Sequence, residues 1–174
     1  MSTDDRRNTG DGNVDLAHTV DYLKKHEIVV VTAESCTAGL IASRLASATG
    51  AGMVLDCAFV VYDPKAKQRC LGVSAEVIAQ NNLTSEIVAL EMARGALGHS
   101  DAGLAVSNTG VADDSDPDLE PGTQCYAWIF REGDGLREYT ETRVFEGERN
   151  AIREASADYA LSRIVHYHAM HRAA

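Results

Sequence analysis

The sequence lacks any long apolar segment. None of its apolar runs approaches the ~20 residues that a helix needs to cross a bilayer, so a membrane-spanning protein is not expected. Residues 1–13 are polar and of mixed charge, without the apolar stretch of a secretory signal. We therefore expect residues 1–13 to be a disordered lead-in. Residues 14–174 are expected to form one domain that works in the cytoplasm.

Basic residues are also scarce. The chain has 16 lysines and arginines against 26 acidic residues, which gives a net charge of −10 and a pI near 4.9. A non-specific nucleic-acid binder needs a basic face to displace counterions from phosphates, and a protein that binds anionic membranes needs basic residues as well. The charge balance therefore indicates no nucleic-acid partner and no membrane partner.

The sequence has little that suggests a metal site. Its four cysteines form no C-x-x-C pair and no metal-finger spacing, which favours a reduced, cytosolic protein. The histidines His166, His168 and His171 would turn by about 200° and 300° on a helix and so share no face. We expect them to lie in a frayed, exposed tail, and we expect neither a metal nor a cofactor.

What the sequence does contain is an alternation of helical and extended patterns. The run Ile28-Val29-Val30-Val31 is continuously apolar, which is typical of a strand covered on both faces of a parallel sheet. The alternation predicts a single α/β domain with a mixed sheet. Helices are predicted at 14–26, 37–48, 84–97 and from 148, a short helical turn from Pro64, and strands at 28–31, 53–62, 102–106, 124–130 and 138–144.

The segment from Ala33 to Gly39 joins the first predicted strand to the second helix. Ligands bind at such junctions in open α/β sheets, and the free N–H groups at a helix start favour an anion or an oxyanion. Ser35 is therefore a candidate nucleophile. The alternative is that Ser35 or Thr37 simply caps the helix. Cys36 could also be a nucleophile, although a buried small residue is the more common role for such a cysteine.

A serine nucleophile needs a base, and no histidine lies near a predicted strand end. A lysine can serve if desolvation lowers its pKa enough to leave a neutral amine. Lys65 and Lys67 follow the second strand, which Tyr62 ends. If the first two strands are neighbours, these groups converge with Ser35 at one sheet edge. The alternative is that both lysines lie on a solvated helical turn.

At this point the residues resemble a known family. The motif Ala33-Glu34-Ser35-Cys36-Thr37-Ala38-Gly39 together with Tyr62-x-x-x-x-Lys67 is similar to the CinA C-terminal domain. The segments 71–73, 84–86, 92–96 and 105–112 add to the likeness, which runs from about residue 15 to residue 165. Members of this family are nicotinamide mononucleotide amidohydrolases of the PncC type.

The resemblance implies a three-layer α/β/α domain that converts nicotinamide mononucleotide to nicotinic acid mononucleotide and ammonia in pyridine nucleotide salvage. It implies a stand-alone, homo-oligomeric form of the domain with a small-molecule nucleotide as its partner. It also implies that Ser35 is the nucleophile, Lys67 its base and Tyr62 a neighbour of both. The implied substrate-binding residues are Glu34, Cys36, Thr37, Gly39, Thr109, Gly110 and Arg149, with Arg149 suited to phosphate.

One loop departs from the family pattern. Members carry a glycine-containing T-G-x-A-G-P segment, whereas residues 113–120 here hold five carboxylates in eight residues. Like charges close to a nucleotide phosphate would weaken its binding. The alternative function is therefore a divergent, non-catalytic nucleotide-binding or regulatory protein. The loop matches a Ca²⁺ loop poorly, so a solvated loop is expected.

Overall fold

The computed structural model of the protein describes residues 14–172, with side chains up to Met170. The expected lead-in at residues 1–13 lies outside the described residues. The helices are α1 (Leu16–Lys25), α2 (Leu40–Ser47), α3 (Pro64–Leu71), α4 (Ala75–Gln80), α5 (Glu86–Gly98) and α6 (Arg149–Arg172). The strands are β1 (Val30–Glu34), β2 (Leu55–Val60), β3 (Leu104–Gly110), β4 (Thr123–Glu132) and β5 (Gly135–Val144).

The strands form one mixed sheet in the order β2-β1-β3-β4-β5. Strand β1 pairs in parallel with β2 and with β3, while β4 is antiparallel to both β3 and β5. Ile28, Val30 and Val31 of the apolar run are buried, and β1 itself is buried along its whole length because it is an inner strand covered on both faces. The adjacency of β1 and β2 meets the condition for Ser35 and Lys67 to converge.

Two separate cores lie on the two faces of the sheet, which makes the domain a three-layer α/β/α structure as the resemblance implied. On one face, α1, α2 and α6 pack against large side chains of β4 such as Tyr126 and Trp128. On the other, α3 and α5 pack against the small side chains Ala105 and Ala127. Small residues let α5 lie close to the sheet, and residue alternation along each strand separates the two cores.

The structure differs from the sequence-based prediction at four places. Strand β3 runs to Gly110 rather than ending at residue 106, because its residues 107–110 pair with β4. Helix α4 was not predicted, and none of its residues is buried, so it lacks the apolar stripe that a pattern search detects. Helix α2 begins at Leu40 rather than at Thr37. The prediction of a frayed C-terminal tail was wrong. Helix α6 continues to Arg172, and the Nδ1 atom of buried His168 lies 3.0 Å from Tyr22 Oη.

Within residues 14–172, no helix combines the length and the apolar character that crossing a bilayer requires.

Candidate active site

Ser35 lies at the carboxyl end of β1, where the chain leaves the sheet. Its backbone N–H donates to the carbonyl of Asn108 at 2.9 Å, which continues the β1–β3 pairing by one residue. The side chain is only 8% exposed. The serine is therefore held by the sheet itself rather than by a loose loop, as a reacting group should be.

Lys67 reaches Ser35 from α3. Its Nζ lies 2.9 Å from Ser35 Oγ, 2.9 Å from the carbonyl of Val61 and 3.2 Å from the carbonyl of Tyr62. The residue is 2% exposed, and burial lowers the pKa of Lys67 to about 8, against a smaller opposite effect of Asp63. The two carbonyls can accept the two N–H groups of a neutral amine, which leaves the lone pair for the serine hydroxyl.

The local sequence turns Lys67 inward. Val61 continues the β1–β2 pairing by donating its N–H to the carbonyl of Glu34 at 2.9 Å. Asp63 then caps α3 by accepting the N–H of Lys65 at 2.7 Å, and Pro64 takes the first helical turn. The helix so started points Lys67 at the sheet edge and leaves Lys65 exposed. The expectation of two solvated lysines was wrong for Lys67.

The start of α2 is occupied by a carboxylate of the chain itself. The Oε2 atom of Glu34 accepts the N–H groups of Gly39 at 2.8 Å and Ile41 at 3.1 Å, and Oε1 accepts that of Ala42 at 2.9 Å. The hydroxyls of Thr32 and Thr37 complete its five donors at 2.9 and 2.8 Å. The expected open anion site at this helix start, and helix capping by Ser35 or Thr37, were therefore wrong.

One N–H group beside Ser35 is left for an oxyanion. From Ser35 to Ala42, every backbone N–H except that of Cys36 has an acceptor within the described part of the chain. The N–H that follows a nucleophile is a common oxyanion donor in hydrolases with a strand–turn–helix nucleophile. The turn that exposes it needs left-handed residues, Ala38 with φ 49° and Gly39 with φ 94°.

The surroundings of Cys36 disfavour the thiolate form of its side chain. Its side chain is buried, its Sγ lies 3.5 Å from Gln124 Nε2, and desolvation raises the pKa of the Cys36 thiol. The turn is instead supported by a network of hydrogen bonds between polar side chains beneath it. Asn108 Oδ1 accepts the N–H of Thr37 at 3.1 Å, and Asn108 Nδ2 donates to Gln124 Oε1 at 3.0 Å.

Arg153 holds the same turn from the side of α6. Its Nε donates to the carbonyl of Cys36 at 2.9 Å and its second terminal nitrogen to the carbonyl of Thr37 at 3.3 Å. Sequence reasoning missed Arg153, Asn108 and Gln124. The buried polar run Ser107-Asn108-Thr109 inside an otherwise apolar strand was the signal available for Asn108. The other two gave none, because their partners are distant in sequence.

The predicted substrate-contacting residues of β3 lie beside Ser35 but have internal partners. The hydroxyl of Thr109 donates to the carbonyl of Leu83 at 2.9 Å. A Cβ at Gly110 would lie 2.2 Å from Gln124 Oε1, so glycine is required for the packing of Gln124. That these two residues contact substrate stays a prediction.

Tyr62 and Arg149 form the outer part of the site. The Arg149 guanidinium donates to Tyr62 Oη at 2.8 Å and also pairs with the Asp113 carboxylate. Tyr62 is 57% exposed, and its own carbonyl accepts from Lys67. The structure thus brings Ser35, Lys67, Tyr62 and Arg149 into one connected arrangement, and it adds Asp113 of the acidic loop to it.

A cavity of about 410 Å³ adjoins Arg149. Its lining includes the acidic residues Asp113, Asp114, Glu120, Glu146 and Glu148. Within residues 14–172, no three His, Cys, Asp or Glu side chains are grouped so that they could hold a metal ion.

The site thus places a buried lysine amine within hydrogen-bonding distance of a serine hydroxyl, and comparison with known proteins gives the family. The model of the CinA C-terminal domain matches residues 15–168. The chain belongs to the CinA C-terminal domain family. This confirms the resemblance carried by the two sequence motifs. A relative from Symbiobacterium thermophilum, 36% identical over 152 residues, carries a name that refers to competence-damage induction.

Relatives in the family carry two kinds of name. The chain is 43% identical over 140 residues to the CinA-like protein of Chlorobium phaeobacteroides (strain BS1), covering 78% of this chain and 33% of that protein. It is 37% identical over 141 residues to the nicotinamide-nucleotide amidohydrolase PncC of Escherichia coli (strain K12), covering 80% of this chain and 84% of that protein. The match thus spans about a third of one relative and most of the other.

Solved structures agree with the fold. A CinA superfamily protein from Escherichia coli matches with a TM-score of 0.81 at 29% identity, over 87% of each chain. A competence/damage-inducible protein from Agrobacterium tumefaciens matches with a TM-score of 0.80 at 33% identity, over 88% of this chain and 94% of that one. The α/β/α arrangement of this chain is therefore that of its family.

Proposed function

We propose that the protein is an amidohydrolase that converts nicotinamide mononucleotide to nicotinic acid mononucleotide and ammonia. The observation that carries the proposal is the 2.9 Å contact between Ser35 Oγ and the buried Nζ of Lys67. The PncC name of relatives at 36–37% identity supports the choice of substrate. This is an assignment to pyridine nucleotide salvage, and we place the protein in the cytoplasm.

The chemistry follows from the positions of three groups of the protein: the Ser35 hydroxyl, the Lys67 amine and the Cys36 N–H. Neutral Lys67 takes the proton of the Ser35 hydroxyl while Oγ attacks the carboxamide carbon of the substrate. The Cys36 N–H donates to the oxyanion that forms. When the C–N bond breaks, Lys67 returns the proton to the leaving nitrogen, which departs as ammonia, and an ester remains on Ser35.

The second half of the reaction uses the same groups. Water gives a proton to Lys67 as it attacks the ester carbon, and the Cys36 N–H again donates to the oxyanion. The ester bond to Ser35 breaks, Oγ recovers its proton from Lys67, and the carboxylic acid that forms loses its proton to solvent and leaves as the carboxylate. We assign the remaining predicted residues to supporting roles: Tyr62 and Arg149 at the outer side of the substrate, and Glu34, Thr37 and Gly39 in the shape of the turn.

The assembly is also a proposal. Met53, Val60 and Tyr62 are large apolar or aromatic side chains that are exposed in or beside edge strand β2, at 72%, 52% and 57%. Covering such a surface is a reason for a chain to associate, and we propose a homo-oligomer. Sedimentation equilibrium of the purified chain tests this, and a monomer at micromolar concentration contradicts it.

The function is tested by ammonia release from nicotinamide mononucleotide. We expect turnover by the wild type and a fall of at least about 10³-fold in kcat for Ser35→Ala and for Lys67→Ala. Lys65→Ala is the matched control, because Lys65 lies on the same helix, is exposed and has no contact with Ser35. Binding of the nucleotide without turnover would instead support the alternative of a non-catalytic nucleotide-binding protein.

A further inference from the structure

The ion pair between Arg149 and Asp113 bears on which substrate the site accepts. The guanidinium of Arg149 contacts Tyr62 in the outer site, and one of its terminal nitrogens is already paired with the Asp113 carboxylate. The other donates to Tyr62 Oη at 2.8 Å. Both terminal nitrogens therefore have partners within the chain, and a phosphate would have to displace Asp113 to bind this arginine in a fork.

Contacts within its own loop hold Asp113 beside Arg149. Its Oδ1 accepts the backbone N–H of Ser115 at 3.2 Å, which is an Asx turn within the loop. Three residues later the loop has a contact outside itself, because Asn82 Nδ2 donates to Asp116 Oδ2 at 2.8 Å. The Asp113 carboxylate is therefore presented to Arg149 by a loop that has its own contacts.

The surroundings of Arg149 carry an excess of negative charge. Five carboxylates line the neighbouring cavity against the single guanidinium of Arg149, and one of the five neutralises that guanidinium. A phosphate monoester carries about −1.5 to −2 charges at pH 7, so it is repelled by such surroundings. An N-ribosylated nicotinamide ring is a cation, and without the phosphate the whole substrate is positively charged.

We propose that Asp113 is a specificity-determining residue that shifts the site from the nicotinamide nucleotide toward the phosphate-free nicotinamide nucleoside. This rests on the proposed amidohydrolase function and narrows its substrate class. Asp113 acts in two ways: it competes with the phosphate for Arg149, and it adds a negative charge where the phosphate would lie. The hydrolysis itself is unchanged, because Ser35, Lys67 and the carboxamide are the same for both substrates.

The test compares kcat/KM for nicotinamide mononucleotide and nicotinamide riboside in the wild type, Asp113→Asn and Asp118→Asn. Asp118 is the matched control because it lies in the same loop, makes the same charge change and does not line the cavity. The wild type is expected to hydrolyse the nucleoside with a kcat/KM at least equal to that for the nucleotide. Asp113→Asn should raise kcat/KM for the nucleotide about five- to tenfold through KM, and it should not raise kcat/KM for the nucleoside.

A strong preference of the wild type for the nucleotide, or an equal rise for the nucleotide in both variants, overturns the inference. If the wild type hydrolyses neither compound, the proposed function fails and calorimetry decides the inference. The nucleotide should then bind Ser35→Ala/Asp113→Asn about fivefold more tightly than Ser35→Ala. Equal binding, or no binding to either protein, overturns it.

Discussion

At the scale of single residues, the proposed mechanism depends on the burial of Lys67. Lys67 is almost fully buried, and its Nζ has only a serine hydroxyl and two carbonyls as partners, with no carboxylate among them. Desolvation of the ammonium form therefore outweighs the attraction of Asp63, and it lowers the pKa of Lys67 to about 8. An ordinary exposed lysine could not take a proton from serine near neutral pH.

This pKa predicts the pH dependence of the reaction. The base is the neutral amine, so the active fraction rises with pH: about a tenth at pH 7, half at pH 8 and nearly all at pH 9. We expect log kcat/KM to rise with a slope near one from pH 6 and to level off above a midpoint near 8. Stopped-flow or coupled ammonia assays between pH 6 and 9.5 measure it.

The Lys65→Ala variant should give the same profile as the wild type, since Lys65 does not contact Ser35. A profile that is flat from pH 6 to pH 9, in an enzyme that needs Ser35, would show that Lys67 is not the titrating base.

At the scale of elements, the conformation of the turn between β1 and α2 is held by the side chain of Glu34. A free helix start would offer its N–H groups to an anion, but here the Glu34 carboxylate accepts three of them and two threonine hydroxyls. These five contacts bend the chain sharply between β1 and α2. The bend leaves the Cys36 N–H without an internal acceptor in the described part of the chain.

We predict that Glu34→Gln destabilises the domain by about 2–3 kcal/mol, because an amide nitrogen would face backbone N–H donors in a buried site. Chemical denaturation followed by circular dichroism measures this. Glu76→Gln is the control, since Glu76 is exposed on α4 and its substitution should change stability by less than about 0.5 kcal/mol. Equal effects of the two substitutions would mean that the Glu34 contacts do not hold the turn.

Sequence patterns predict most helices and strands of the domain, but not the features that tertiary contacts decide. The order of helices and strands, and the meeting of the ends of β1 and β2 at one sheet edge, follow from periodicity and from the rule that parallel strands end at one edge. The start of α2 at Leu40 and the inward direction of the Lys67 side chain do not follow from sequence patterns, because a tertiary contact decides each of them. Gln124 and Arg153 were missed for the same reason, since each reaches Cys36 from more than 80 residues away in the sequence.

At the scale of the whole molecule, helix α6 joins the reactive turn to the rest of the domain. Near its start Arg153 binds the carbonyls of Cys36 and Thr37. Further along, Tyr159, Arg163 and Tyr167 all donate to the carboxylate of Glu141 on β5, on the far side of the sheet order from β2. One long helix therefore links the turn after β1 to the edge strand β5.

The central claim is that Ser35 is a nucleophile that forms a covalent intermediate. The most direct measurement mixes the wild type with excess nicotinamide mononucleotide, quenches with acid within milliseconds to seconds and analyses the Ser35 peptide by mass spectrometry. Nicotinamide riboside is run in parallel, and Ser35→Ala is the control. We predict a peptide heavier by the mass of the substrate minus ammonia in the wild type and none in the variant. An unmodified wild-type peptide, together with ammonia release that persists in Ser35→Ala, would contradict the account.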